Sequence, residues 1–166
     1  MYTPLIQEYA QGGMLLRRSI SGLSEEEIKS APIEGQWSFQ QLVIHVADAE
    51  QAFAFRVKKI LAEEKPTLEA WNENLFAARL AYFHQSVEDA VTSVEVTRRQ
   101  LVRILQQTPA ESFERTGIHA ERGVLTAHQI VQLATDHLLH HLKFVHDKRR
   151  VMSNELKDDF NPRTDD

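Results

Sequence analysis

Hydrophobic residues recur every three to four positions along four long segments of the chain, and this spacing predicts four amphipathic α-helices. The first segment starts at Thr3-Pro4, a pair typical of a helix N-terminus. The second starts at Ser38, which has capping-box spacing with Gln41, and it is expected to end before Pro66. The predicted buried stripes of these two helices are Leu5, Tyr9, Leu16 and Ile20, and then Leu42, His45, Ala49, Phe53 and Ile60.

The second half of the chain contains the other two segments. The third begins between Leu68 and Asn74 and ends at Thr108-Pro109. Because Ser86 could cap a new helix, one kinked helix and two separate helices are both possible. The last helix is predicted to begin at Thr126 and to end in a basic run. The stripes are Val87, Val91, Val94, Leu101 and Leu105 in the third region, and Ile130, Leu133, His137, His141 and Phe144 in the last.

The stretch from Glu111 to Gly123 contains turn signals at Thr116-Gly117 and Arg122-Gly123 and only short extended candidates. It is predicted to be a long loop before the last helix, with a small hairpin as an alternative. The fold class is therefore all-α, a four-helix bundle. Residues 1–152 are expected to form one domain, and the acidic residues 153–166 a loose tail.

Composition narrows the functional classes. The 42% hydrophobic and 26% charged content is ordinary for a globular protein, and no apolar run is long enough for a membrane helix. The net charge of −5 argues against nucleic-acid binding. The chain has no cysteine, which excludes disulfides, cysteine zinc sites and a protein thiol nucleophile. No export signal is visible at the N-terminus, so a cytoplasmic location is expected.

The histidines suggest a metal site. The chain has eight, and four lie between His137 and His146. His137 and His141 are four residues apart, which places both rings on one helix face, and His45 lies inside the apolar stripe of another helix. Three histidines can hold one divalent ion and leave a coordination position open, as in catalytic sites. The alternative is three separate core histidines, each with its own hydrogen bond, but burying unbonded imidazoles is costly.

Two motifs resemble those of the DinB/YfiT-like superfamily. Gly35-Gln36-Trp37-Ser38 followed by His45-Val46-Ala47-Asp48-Ala49-Glu50 is similar to the start of that family's second helix. Asp136-His137-Leu138-Leu139-His140-His141 resembles its His-x-x-His-His signature on the last helix. The resemblance covers roughly residues 5–150. It implies a four-helix bundle that binds zinc or nickel through His45, His137 and His141.

Two neighbouring residues are candidate catalytic groups. His140 lies at the edge of the predicted site, where it could support a ligand, carry a proton, pair across helices or make a structural hydrogen bond. Asp48 could orient an imidazole, as carboxylates do around metals, or be a solvated surface residue. Glu50 is expected to be structural, and Trp37 to pack at the helix entry or line the pocket mouth. The remaining histidines are expected at the surface or in loops: His84, His119, His128 and His146.

Three functions remain open after this survey. The chain has no Gly-x-Ser-x-Gly elbow or phosphate-binding loop, and Leu138 stands where a zincin would have its catalytic Glu. The resemblance implies a small-molecule enzyme that transfers a low-molecular-weight thiol to an electrophile, or a metal-dependent hydrolase using activated water. The third possibility is a non-catalytic metal-binding protein of stress response or a scaffold. A homodimer is expected to use apolar residues outside the stripes, with candidates Phe55, Phe76 and Phe83.

Overall fold

The computed structural model describes residues 2–153 and contains the four predicted long helices. They are α1 (Thr3–Ser19), α3 (Phe39–Ala62), α5 (Val87–Gln107) and α6 (Ala127–Val151). Two short helices, α2 (Glu25–Lys29) and α4 (Glu73–Arg79), lie in the connections, with 3₁₀ turns at Tyr82–His84 and Ala110–Glu114. The prediction of an all-α four-helix bundle is confirmed. Apart from Ser153, the predicted acidic tail lies outside the described residues.

Ser38 and Thr126 start their helices through complete capping boxes, as expected, whereas α1 begins at Thr3 without a side-chain cap. The Ser38 hydroxyl accepts from the Gln41 backbone N–H at 3.1 Å, and the Gln41 side chain accepts from the Ser38 N–H at 3.0 Å. Thr126 and Gln129 make the same pair of bonds at the start of α6.

Between Leu68 and Pro109, where one kinked helix and two separate helices were both possible, the structure contains two helices, α4 and α5. Ala81 has a left-handed φ of 52°, which interrupts the chain between α4 and α5.

A three-stranded sheet replaces part of the predicted loop. The strands are β1 (Thr67–Leu68), β2 (Thr116–His119) and β3 (Gly123–Thr126) in the order β1-β2-β3. β2 and β3 form an antiparallel hairpin, and β1 pairs with β2 in parallel. The hairpin alternative is thus confirmed, and the sheet joins the segment after α3 to the segment before α6 at one end of the bundle.

The most buried face of α6 is rotated from the predicted stripe. Leu138, Leu142 and Val145 are fully buried, whereas His137 and His141 are only half-buried. The last helix therefore presents its apolar residues to the core and its two histidines to the edge of that core. The sequence could not separate these faces, because apolar residues occur on both.

Close packing of α1 against α5 explains the glycine pair in the first helix. A Cβ at Gly12 would lie 1.9 Å from Nη1 of Arg98, and one at Gly13 would lie 2.9 Å from Cγ of Glu95. Any side chain at Gly12 would displace a guanidinium that is itself buried. These glycines therefore allow a close helix contact.

Two further observations bear on partners. Phe55 and Phe83 are 64% and 54% exposed, but Phe76 is half-buried with its ring centroid 4.7 Å from that of Trp71. Phe76 therefore packs against Trp71 within the subunit, and the homodimer and its contact residues stay predictions. Within residues 2–153, no helix combines the length and hydrophobicity needed to cross a lipid bilayer.

Candidate metal centre

Three histidine rings from two helices meet at one point beside the core. The Nε2 atoms of His45, His137 and His141 lie 3.1 Å apart in all three pairs. His45 comes from the buried face of α3, and the other two come from successive turns of α6. The structure therefore brings together the three residues that the sequence pattern selected, and the set could hold a metal ion.

Hydrogen bonding alone does not satisfy this triangle of nitrogens. A bond between two imidazole nitrogens needs an N–H on one and a lone pair on the other, and each neutral Nε2 offers only one of these. Among three mutual contacts, at least one pair must therefore present two like groups to each other. A divalent cation accepts the lone pairs of all three rings at once, so the donor set fits a metal ion.

The protonation state of the rings suits metal binding. Burial lowers the pKa of His45 to about 4 from the usual 6.5. Burial, with added repulsion from neighbouring cationic groups, lowers the pKa of His137 to about 3 and that of His141 to about 2. All three rings are therefore neutral at pH 7, which leaves their lone pairs available to a cation.

The same pKa shifts predict that the metal-free protein loses stability in mild acid. The folded rings stay neutral, while the histidines of the unfolded chain take up protons below about pH 6.5. The free energy of unfolding should therefore keep its full value above about pH 6.5. It should fall toward pH 4 by at most about 1.4 kcal/mol per pH unit for each ring. Urea unfolding of the metal-free protein between pH 7.5 and 4.5 measures this slope.

The control for this slope is the double variant His137→Gln/His141→Gln, which keeps the fold's other titratable groups. It should show a shallower decline than the unaltered chain over the same pH range. Equal slopes for the two proteins would mean that the rings do not cause the acid sensitivity.

Aromatic side chains surround the three rings. The ring centroid of His45 lies 5.1 Å from that of Trp37 and 5.6 Å from that of Trp71. Phe53 packs edge-on against His137 at 5.5 Å. Among the described residues, Nδ1 of His45 and Nδ1 of His141 have no hydrogen-bond partner. The tryptophans thus orient His45, and Phe144, whose ring centroid lies 5.9 Å from that of His141, orients His141, in place of the usual carboxylate or carbonyl partner.

A cavity of about 380 Å³ opens beside the point where the three rings converge, and of these rings His137 lies in its wall. Its walls come from α3, the segment between β1 and α4, the β2–β3 hairpin and α6. Apolar walls include Phe53 and Trp71, and the charged side chains in the wall are Arg56, Glu73, Glu121, Arg122 and Asp136. Glu73, in the first turn of α4, has a carboxylate oxygen 3.7 Å from Nε2 of His45. A carboxylate thus stands next to the point where the three nitrogens converge.

The two candidate catalytic residues occupy different positions around this cavity. His140 is exposed, lines the cavity and packs its ring 5.5 Å from that of His141 and 4.7 Å from that of Phe144. Asp48 accepts a hydrogen bond from the Tyr82 hydroxyl at 2.5 Å. Within residues 2–153, Asp48 makes no hydrogen bond to an imidazole. Their catalytic roles stay predictions.

Several residues at the cavity were not found from the sequence. His119 was expected at the surface or in a loop, yet it lies in β2, is 6% exposed and lines the cavity. That expectation was wrong because His119 occupies a buried position of strand β2, where alternate side chains point inward. Arg56 did carry a signal: it follows His45 by 11 residues, about three helical turns, and so shares its face of α3. Trp71 carried none, because it belongs to an irregular connection. Glu73 carried none, because it opens α4, a helix of seven residues that is too short to show a periodic pattern.

Comparison with known proteins agrees with this geometry. The sequence profile of the DinB superfamily matches residues 8–145. The chain belongs to the DinB superfamily. Its fold is similar to that of YfiT from Bacillus subtilis, described as a probable metal-dependent hydrolase with an unusual four-helix bundle topology. The two structures superpose with a TM-score of 0.85 at 18% sequence identity, over 90% of this chain and 86% of the other.

Relatives of this DinB-superfamily chain extend across most of its length. A protein of Oceanobacillus iheyensis named "putative metal-dependent hydrolase" is 24% identical over 131 residues, covering 79% of this chain and 76% of the relative. A Bacillus cereus protein with the same description is 26% identical over 148 residues, covering 89% and 85%. In this chain, His45, His137 and His141 form a cluster that could hold a metal ion.

Proposed function

We propose that this DinB-superfamily chain is a divalent-metal-dependent enzyme that activates a low-molecular-weight thiol for S-transfer to an electrophile. The observation that carries the proposal is the convergence of three neutral imidazoles beside a cavity large enough for a small molecule. His45, His137 and His141 would hold the ion, and zinc and nickel both suit an all-imidazole set. When bound, such an ion lowers the pKa of a thiol or water that it coordinates.

The nucleophile in this reaction would come from the ligand. The chain has no cysteine, and the described wall of the cavity contains no serine, threonine, tyrosine or lysine. The side chains closest to the three nitrogens are imidazoles, a carboxylate and aromatic rings. A site of this kind lacks its own hydroxyl, thiol or amine, so it suits a small-molecule thiol or a water molecule as the attacking group.

Glu73 is placed to serve as the general base. Its carboxylate, 3.7 Å from Nε2 of His45, can accept the proton that leaves the thiol sulfur. The sulfur lone pair then forms the bond to the electrophilic carbon, and the leaving group departs with the electron pair of the bond that breaks. Phe53 and Trp71 form an apolar wall that limits water around the reacting atoms.

Glu73→Gln is expected to lower kcat by about 10²-fold while leaving the bound metal unchanged, because the amide cannot accept the proton. Steady-state rates with a thiol and a chromogenic electrophile, together with elemental analysis, measure both quantities. Glu111→Gln is the matched control, since Glu111 is exposed and does not line the cavity. An unchanged kcat in Glu73→Gln would remove this residue from the mechanism.

Metal-activated water attack is the second candidate, and two observations favour it. The relatives' names refer to hydrolases, and Glu73 is equally placed to take a proton from water. The metal-loaded protein should therefore be assayed in parallel with a thiol–electrophile panel and an ester–amide panel. Turnover in the thiol panel that disappears in His141→Ala supports S-transfer, and turnover only in the ester–amide panel supports hydrolysis. Stoichiometric metal without turnover in either panel would support a non-catalytic metal-binding protein.

A further inference from the structure

The end of the cavity formed by Arg56 contains a buried positive charge without an acidic partner. Arg56 is only 7% exposed and lines the cavity from α3. Its Nη2 donates to the backbone carbonyl of Glu69. Within residues 2–153, no carboxylate lies within salt-bridge distance of this guanidinium. Since a guanidinium has five N–H donors, most of its hydrogen-bonding capacity remains available to something in the cavity.

A second arginine adds to the positive charge at this end. Burial and the positive charge of Arg122 both lower the pKa of Arg56, and the carboxylate of Glu121 partly offsets them. His119 lines the same end, and burial and the charge of Arg56 lower its pKa, so its ring is neutral. Two guanidinium groups therefore face one carboxylate, and this end of the cavity has an excess of positive charge.

The distance between this charge and the three histidines determines how long a ligand must be to reach both. The Arg56 guanidinium lies 5.8 Å from the ring centroid of Phe53, which in turn lies 5.5 Å from that of His137. The guanidinium is therefore within about 11 Å of the His137 ring, along an apolar wall. The two remaining acidic groups of the wall lie elsewhere: Glu73 is beside His45, and Asp136 accepts a hydrogen bond from Gln132.

We infer that Arg56 and Arg122 form a subsite for a carboxylate of the thiol cosubstrate, which places its sulfur at the three histidines. The inference rests on the proposed thiol chemistry for its choice of ligand. A desolvated guanidinium forms strong, bidentate hydrogen bonds with a carboxylate, and the apolar wall between the two ends matches a short organic linker. The site thus selects an anionic thiol of roughly tripeptide size over a neutral thiol such as 2-mercaptoethanol.

Binding of a thiol-free probe tests the subsite separately from catalysis. The probe is S-methylglutathione, a tripeptide thioether with two carboxylates, and the comparison ligand is its diethyl ester. Titration calorimetry with the metal-loaded full chain should give at least about 10-fold tighter binding of the acid than of the ester. Arg56→Met should remove that preference without changing metal content. Arg122→Ala, at an exposed position that does not threaten folding, should reduce it about threefold or more. Arg103→Met is the control, since Arg103 is exposed on α5 and does not line this cavity.

The outcomes separate the subsite from the proposed reaction. A preference for the acid that Arg56→Met abolishes supports the subsite even if no thiol is turned over. Thiol turnover whose KM is the same in wild type, Arg56→Met and Arg122→Ala overturns it while leaving S-transfer intact. Equal binding of the acid and the ester, or binding of neither, also overturns it.

Discussion

His141→Ala is expected to abolish stoichiometric metal binding and to lower the rate of thiol transfer by at least about 10³-fold. Removing one imidazole leaves two ring nitrogens at 3.1 Å, too few for a stable site in a chain without cysteine. Substitutions around a metal's ligands already cost about 10–100-fold in affinity or activity, and loss of a ligand costs more. Elemental analysis of protein prepared without a histidine tag gives the metal content, and the same preparation gives the rate.

The control for this variant is His84→Ala. His84 is an exposed histidine in a 3₁₀ turn, so its loss should change neither metal content nor rate. Full metal occupancy in His141→Ala would show that the ion sits elsewhere, and the three-histidine centre would then have to be abandoned.

The second large effect is expected at the buried ion pair beneath the site. Arg98 and Glu50 are 1% and 2% exposed, and Nε of Arg98 donates to Oε2 of Glu50 at 2.8 Å. The other two nitrogens of Arg98 donate to the backbone carbonyls of Tyr9 and Ala134 at 2.9 Å, and the Tyr9 hydroxyl donates to Glu50. One guanidinium thereby links α1, α3 and α6. Two of these helices, α3 and α6, carry the three histidines of the candidate metal centre.

Arg98→Met should lower the free energy of unfolding by about 3–5 kcal/mol, because it leaves the Glu50 carboxylate buried without its cation. The double variant Arg98→Met/Glu50→Gln should lose less than the sum of the two single variants. Urea unfolding curves at pH 7 measure all three. Lys29→Ala provides the surface comparison: its ion pair with Glu25 is exposed on both sides, so the loss should be a small fraction of that at Arg98. Strict additivity at Arg98 and Glu50 would contradict coupling between them.

Local sequence signals predicted most of the fold. Ser38 with Gln41 and Thr126 with Gln129 placed the starts of two helices correctly, because capping boxes depend on side chains three residues apart. Short-range signals were weaker between the helices. The region before α5 allowed one helix or two, and the hairpin was only an alternative to a loop. Those choices depend on contacts that cross the bundle.

The metal centre was predictable to the extent that helix geometry determines it. The spacing of His137 and His141 places both rings on one face of α6, and the stripe of α3 identifies the face that carries His45. The pattern could not predict how deeply the rings are buried. Both faces of α6 contain apolar residues, so the sequence did not show that the two histidines lie at the edge of the core.

The sequence by itself determined the four helices, the capping boxes of α3 and α6 and the three imidazoles, since these signals relate residues only a few positions apart. Tertiary structure alone decided which groups surround those imidazoles. Glu73 reaches His45 from the first turn of the short helix α4, Asp48 pairs with Tyr82, and the hairpin carries His119 and Arg122 to the cavity. These contacts depend on how the segments between the long helices fold back over the bundle. A loop has no periodic sequence pattern from which its path could be predicted.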